Sequence, residues 1–414
     1  MIKNLLSAFT SDSNNQPKSV SIGSIKLTKA QEPVHTLLNG STGVGKTTAI
    51  IEMLRTISAR GDRMIIADPD GFYASRFATE HDVILNVFDK RSPGWSPFSE
   101  VRRAYDFDKI ARSIVPDGQG HDAAWHFYAQ VLIADVMRSL LTSGKGTTAE
   151  LIYALTVMPT EELKALVAGS ASVGLFDKDA AKALASTRFI LSSYLKPFVY
   201  LKSGDFSLRG FLESKRQRIF FTWREDMTAS LAPLIACWID VLCNAILSMP
   251  PEPELGKRRT WLVLDELASL GKISSLESVL TKGRKHNLCC IAGLQSIAQL
   301  DRVYGHETSI ILRSCFRNLV AFAIAKADPD TSEAISRALG EREIDRAVET
   351  TGRSSQGSST SVSVQRVRER LVLPSELNEL PDLTAFLALA GNEPTRKIKL
   401  IPQNLPVIFP AFME

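Results

Sequence analysis

The segment that most constrains this chain is GSTGVGKT, Gly40–Thr47, which lies between an apolar run and a helical pattern. The run from Val34 to Asn39 predicts a strand, and the spacing from Lys46 to about Arg60 predicts a helix. Glycines in such a loop let the backbone N–H groups point at phosphate oxygens, and the helix N-terminus adds its positive end. The alternative, a chance glycine-rich turn, does not explain the flanking strand and helix. The pattern therefore predicts a nucleotide site in an α/β fold.

Each part of this loop has an expected task in holding ATP. The Lys46 side chain is expected to reach the β- and γ-phosphates, and the Thr47 hydroxyl is expected to ligate Mg²⁺. The residues predicted to bind the nucleotide are Gly40, Ser41, Thr42, Gly43, Val44, Gly45, Lys46, Thr47 and Thr48.

A second apolar run, Thr260 to Leu264, ends in the two acids Asp265 and Glu266. Ionised groups at the edge of a core need partners, so paired carboxylates at a strand end indicate a use. Asp265 would hold the magnesium, and Glu266 would orient or deprotonate the attacking water. The alternative is a helix N-cap after the strand, which is a common use of an acid.

Two further side chains are candidates for catalysis. Gln295 follows the strand predicted at Leu288 to Ala292, and ligand sites in such sheets lie at the carboxyl ends of strands. It could sense the γ-phosphate or position water, or it could be a loop amide bonded to nearby backbone. Arg284 could stabilise transition-state charge from a neighbouring subunit, or it could belong to a solvated basic surface. Arg313 and Arg317 are rivals for that role.

The remaining pattern predicts two kinds of structure. Short, continuously apolar runs predict a parallel sheet with helices on both faces. Between Pro97 and Ser207 the strand signals stop, and alanine-rich helical spacing takes over. We therefore expect a flexible N-terminal lead-in at 1–31, a nucleotide-binding motor domain from 32–96 and 208–414, and an inserted all-α domain at 97–207. The serine- and glycine-rich segment 350–363 predicts a mobile surface loop.

Net charge and cysteine content bear on the partners of the protein and on its cellular compartment. The net charge is +4, from 49 basic and 45 acidic residues, which permits a nucleic-acid partner without requiring one. The 5 cysteines have no disulfide or metal-ligand spacing, which favours a reducing compartment. We also expect no membrane-spanning run and no secretory signal, and hence a cytoplasmic location, with peripheral attachment to the inner membrane through partners as the open alternative.

With these residues placed, the chain resembles the type IV coupling proteins of conjugation, the TrwB/TraD type. The resemblance runs from about Glu32 to Glu414. It is carried by an ordered set of segments: GSTGVGKT at 40–47, RGDRMIIADPDG at 60–71, KRSPGWSPFSEVR at 90–102, FTWREDM at 221–227, WLVLDELASL at 261–270, LTKGRK at 280–285, GLQSIAQLDRVYG at 293–305 and a closing VLPSELNELPDLTAFLALAGNEP.

The resemblance implies a RecA-like P-loop motor sheet with an inserted all-α domain and assembly into a homo-hexamer. It implies ATP and Mg²⁺ as cofactors, and single-stranded DNA, a relaxase and the type IV secretion channel as partners. Gln295 matches the family's γ-phosphate glutamine, and Arg284 falls on its trans arginine. Members usually begin with two transmembrane helices, which we do not expect in this chain.

The function that the resemblance implies is an ATP-driven DNA translocase that links relaxase-bound single-stranded DNA to the secretion channel. Two other functions share the same ATP site. One is an ATP-binding docking platform for relaxase and secretion proteins, with little DNA-stimulated turnover. The other is a DNA segregation or packaging motor outside secretion, which would ignore those partners.

Overall fold

The computed structural model describes residues 19–251, 258–354 and 357–413, and its main feature is a nine-stranded sheet. The strands of the described residues are β1 (Ser21–Ile22), β2 (Ile25–Lys26), β3 (Thr36–Asn39), β4 (Arg63–Pro69), β5 (Val83–Leu85), β6 (Arg218–Trp223), β7 (Thr260–Leu264), β8 (Leu288–Leu294), β9 (Asn318–Ala321), β10 (Glu341–Ser354), β11 (Gly357–Arg370), β12 (Thr384–Ala388) and β13 (Arg396–Lys399). The helices are α1 (Lys46–Ala59), α2 (Ala74–Phe77), α3 (Asp106–Ile114), α4 (Ala123–Thr142), α5 (Thr148–Thr156), α6 (Thr160–Leu166), α7 (Ala181–Leu195), α8 (Leu208–Glu213), α9 (Thr228–Ser248), α10 (Leu276–Lys282), α11 (Ile297–Tyr304), α12 (His306–Cys315), α13 (Pro329–Leu339) and α14 (Pro374–Asn378).

The sheet confirms the predicted α/β class. Its strand order is β13-β12-β9-β3-β8-β7-β4-β6-β5. The strands from β9 to β5 in this order run parallel, and β12 pairs antiparallel with β9 and β13 at one edge. Successive side chains of β3 and β7 enter two separate apolar cores, one on each face. Strands buried on both faces explain the continuous apolar runs in the sequence.

Helix α9 corrects the expectation that no apolar run is long enough to cross a bilayer. The segment Glu225–Ser248 has that length and composition, and 72% of its most apolar window is buried inside the protein. Trp238 stacks on Phe221 of the sheet, with ring centroids 5.8 Å apart. The apolar composition of α9 thus matches its position in the core between the sheet and the helical segment.

Helices α3 to α7 form the helical segment that the sequence predicts after β5. Its two ends meet where Phe206 N donates to Gly94 O at 3.0 Å, and a Cβ on Gly94 would lie 2.1 Å from Ser203 O. Asp240 on α9 accepts a hydrogen bond from Ser113 on α3 at 2.5 Å, which ties this segment to the sheet side. The division into an insertion at 97–207 and a motor at 32–96 and 208–414 stays a prediction.

Two further sequence expectations differ from the structure. Residues 19–31 are folded rather than a lead-in, because Val20, Ile22 and Leu27 are buried and the β1–β2 turn bonds to Glu52 of α1. Residues 1–18 of the predicted lead-in lie outside the described residues.

The serine- and glycine-rich segment 350–363 is the second difference. Its described backbone belongs to a two-stranded antiparallel ribbon formed by β10 and β11, not to a loop. Outside the serine-rich part, oppositely charged residues stand directly across this ribbon and form ion pairs such as Glu343–Arg368 and Asp345–Arg366, which favour the observed register. Local composition alone does not reveal such pairing.

Candidate nucleotide site

The loop after β3 is held in shape by its neighbours on both sides. Gly40 N donates to Leu294 O at 3.1 Å, and Ser41 N donates to Ala323 O at 2.9 Å. Gly45 precedes α1 with a φ of 118°, a left-handed conformation that glycine tolerates best. The predicted phosphate loop therefore lies between a parallel strand and a helix N-terminus, which is the geometry an anion requires.

Lys46 begins α1 and bends back over this loop. Its Nζ donates to Gly40 O at 2.6 Å and to Ser41 O at 2.9 Å, and the residue is 8% exposed. Burial lowers the pKa of Lys46, and the nearby Glu266 and Asp265 carboxylates oppose that shift. The ammonium group thus sits within the loop, close to the two acids that the sequence singled out.

Asp265 meets the first turn of α1 at the carboxyl edge of the sheet. Thr47 Oγ1 donates to Asp265 Oδ2 at 3.2 Å, and Tyr73 Oη donates to the same oxygen at 2.6 Å. Burial raises the pKa of Asp265, while these hydrogen bonds and Lys46 lower it. A hydroxyl beside a carboxylate is the hard oxygen donor set that Mg²⁺ prefers, so the residues present fit that ion.

Glu266 and Gln295 form a second chain of contacts to the loop. Gln295 Nε2 donates to Glu266 Oε2 at 2.8 Å, and Thr42 Oγ1 donates to Gln295 Oε1 at 3.2 Å. Burial raises the pKa of Glu266, and the bond from Gln295 lowers it. Glu266 Oε1 is buried with no hydrogen-bond partner in the described part of the chain, so one carboxylate oxygen is free to accept from a water.

The helix-cap alternative for Glu266 does not account for this geometry. Glu266 precedes a short 3-10 helix, Leu267–Leu270, but its side chain makes no capping hydrogen bond. It turns instead toward Gln295. The loop-amide alternative for Gln295 fails similarly, because both its amide atoms bond to side chains of the candidate site.

Gly293 is a residue whose importance the sequence analysis missed. A Cβ at this position of β8 would lie 1.7 Å from the backbone O of Asp265. Only glycine lets β8 approach the end of β7 so closely, and this approach brings Gln295 beside Glu266. Its position within an otherwise apolar strand was the available signal.

The three candidate arginines do not join this site within one chain. Arg284 lies in the 3-10 helix Gly283–His286, before the amino end of β8, and it is exposed. Arg313 and Arg317 lie before the amino end of β9. The phosphate loop follows the carboxyl end of the parallel strand β3, so these arginines lie at the opposite edge of the sheet.

Comparison with known proteins decides the family. The sequence model of the type IV secretion-system coupling protein DNA-binding domain matches residues 19–401. The chain belongs to this family. The coupling protein TraD of Escherichia coli (strain K12) is 28% identical over 407 residues, covering 95% of this chain and 56% of TraD. A conjugal transfer protein TraG of Rhizobium radiobacter is 30% identical, covering 64% of this chain and 43% of TraG.

Solved structures of the coupling protein TrwB are also similar to this coupling-protein chain. The unbound form has a TM-score of 0.89 and 41% identity, covering 99% of this chain and 94% of that one. TrwB with ADP and Mg²⁺ gives the same score and identity over 97% of this chain and 94% of that one. This confirms the P-loop sheet predicted from the family resemblance. The chain spans about half the length of the sequence relatives TraD and TraG.

Proposed function

We propose that this chain is an ATP-driven DNA translocase that acts as a conjugative coupling protein, linking relaxase-bound single-stranded DNA to a type IV secretion channel. The observation that carries the proposal is the convergence of Lys46, the Asp265–Glu266 pair and Gln295 at one sheet edge, in a chain of the coupling-protein family. A protein that only bound ATP would not need a glutamate beside the phosphate loop with a carboxylate oxygen that has no hydrogen-bond partner in the described residues, as Glu266 Oε1 has none there.

In the proposed reaction, the loop N–H groups and the α1 N-terminus bind the ATP phosphates. Lys46 exchanges its loop carbonyl partners for phosphate oxygens. Glu266 accepts a proton from the attacking water, or orients it, through its free Oε1, and Gln295 holds the other oxygen in place. Gln295 thereby connects the base to Thr42 in the phosphate loop.

Thr47 and Asp265 are the residues that would hold magnesium. When bound, this ion neutralises charge that develops on the β- and γ-phosphates. Structures of TrwB with ADP and Mg²⁺ and with a non-hydrolysable ATP analogue support ATP and Mg²⁺ as the cofactors here.

The position of Arg284 supports a homo-hexameric ring. An exposed arginine at the edge opposite the phosphate loop can serve a nucleotide only in the next subunit. Subunits arranged head to tail would place each Arg284 against its neighbour's site, and a rotation that closes gives a ring. Such a ring would grip the sugar-phosphate backbone in its channel, largely without regard to sequence. We place this ring in the cytoplasm, held at the inner membrane by partners.

A displacement assay tests this function. The protein is mixed with two single-stranded DNAs, one that carries biotin and streptavidin at its 5′ end and one that carries them at its 3′ end, and ATP is added. A translocase frees the DNA from streptavidin only with ATP, and Lys46→Ala abolishes the release because the phosphates lose their cation. ATP hydrolysis without release would favour the docking platform over the motor.

A further inference from the structure

Tyr73 contacts the candidate magnesium ligand from outside the known motifs. It follows the end of β4, just after the segment Asp68-Pro69-Asp70-Gly71. Its hydroxyl donates to Asp265 Oδ2 at 2.6 Å, and Tyr73 is 1% exposed. Thr47 Oγ1 reaches the same oxygen at 3.2 Å. Tyr73 and Thr47 therefore restrain one carboxylate together.

Asp68 fixes the backbone that carries this tyrosine. Asp68 is 0% exposed, and its two carboxylate oxygens accept from Tyr73 N at 2.9 Å and from Ala74 N at 2.6 Å. Among the described residues no cation pairs with it. A buried carboxyl that bonds to backbone amides and, within the described part of the chain, to no cation is costly, because its charge is poorly solvated. That cost indicates that the position of the Tyr73 backbone matters.

We propose that Tyr73 is a positioning residue: its hydroxyl holds the Asp265 carboxylate toward Thr47, and Asp68 anchors Tyr73 for this purpose. The inference rests on the proposed ATP and magnesium site. Hydrogen bonds to a ligating carboxylate fix its orientation, and their loss commonly costs about 10–100-fold in metal affinity. Tyr73 thus sets how tightly the nucleotide site holds Mg²⁺ without touching the phosphates.

The test measures binding of a fluorescent ATP analogue against Mg²⁺ concentration, with no DNA and no turnover. Tyr73→Phe keeps the ring and removes only the hydroxyl. We expect the half-saturating Mg²⁺ concentration to rise about tenfold or more, with binding of the analogue in EDTA unchanged. Asp68→Asn should shift the same curve, and the double variant should shift it less than the sum of the two.

The matched control is Tyr304→Phe, which removes another buried hydroxyl, one that contacts Ile273 N and Gly271 O away from the site. It should leave the Mg²⁺ curve in place. Wild-type protein that binds no ATP analogue would contradict the proposed function itself. If wild-type protein binds the analogue and the Mg²⁺ curve of Tyr73→Phe is unshifted, only the positioning role is overturned. Because Tyr73→Phe removes a single hydroxyl, this outcome can be measured even if Asp68→Asn fails to fold.

Discussion

At the scale of single residues, Glu266 is the group whose protonation the proposed chemistry depends on. Burial raises the pKa of its carboxyl, and the hydrogen bond from Gln295 Nε2 partly reverses that shift. A base must be deprotonated to act, so the amide has a catalytic consequence without touching the water. Gln295 also bonds to Thr42, so the protonation of Glu266 is linked to the shape of the phosphate loop.

Gln295→Ala should move the acid limb of the pH–rate profile for ATP hydrolysis to higher pH. Removing the amide leaves only the charge of Lys46 to oppose the effect of burial, so the pKa of Glu266 rises further and less base is present at neutral pH. A shift of one pH unit lowers the rate on that limb about tenfold. Ser296→Ala is the control, because it alters the neighbouring side chain. An equal loss at every pH would instead assign Gln295 to the phosphate alone.

Much of the site was predictable from local sequence, because the loop, Asp265, Glu266 and Gln295 all follow apolar strands. The carboxyl ends of parallel strands lie at the same edge of the sheet, so residues that follow different strands in sequence come close together in space. Tyr73 and Gly293 were not predictable in the same way. Their importance comes from contacts with Asp265, which is distant in sequence, and neither residue type signals such a contact by itself.

At the scale of elements, the C-terminal segment 401–413 lies across the sheet domain as an extended strap. Ile408 N and Phe409 N both donate to Ser75 O, which lies within α2. Further on, Arg91 donates to Pro410 O at 2.8 Å and pairs with the buried Asp89 at 2.6 Å. The strap thus connects helix α2, which directly follows Tyr73, to the part of the chain that leads into the helical segment.

Arg91→Ala should lower the free energy of unfolding by about 2 kcal/mol at pH 7, because Asp89 loses a charged hydrogen-bond partner. Burial raises the pKa of Asp89, but hydrogen bonds, chiefly from Arg91, outweigh it and leave this pKa below its usual value. Stability from a lowered pKa is present above the unfolded value and is lost as pH falls through the folded one. The destabilisation should therefore shrink below about pH 4.

Urea unfolding of the Arg91 variant at pH 7 and near pH 3 measures this effect. Lys90→Ala is the matched control, since its exposed side chain lies beside Arg91. Equal destabilisation at both pH values would show that the packing of Arg91 on Phe409 matters more than its charge.

One element that the sequence analysis did not anticipate is the β10–β11 ribbon. It is defined by the pairing of its two strands rather than by an apolar run. Turn-forming residues in a segment do not prevent pairing when cross-strand partners set the register. The parallel core strands carry their own signal, because both faces are buried.

At the scale of the whole molecule, the nucleotide site of one subunit would be completed by Arg284 of a neighbouring subunit. A mixture of Lys46→Ala and Arg284→Ala subunits should then hydrolyse more ATP than either variant alone. Interfaces that combine an intact phosphate loop with an intact Arg284 would form between the two variants, in about a quarter of the interfaces of an equal mixture. Activity equal to the average of the two variants would contradict action in trans, and Arg313→Ala and Arg317→Ala would be tested next.

The most direct test of the central proposal is ATP turnover with and without single-stranded DNA, measured across protein concentration for wild type, Lys46→Ala and Glu266→Gln. We predict strong DNA stimulation that rises with protein concentration and disappears in both variants, because the proposed catalysis needs the loop cation, the base and a neighbouring subunit. ATP binding with turnover that DNA leaves unchanged would contradict the motor, and would favour the docking platform.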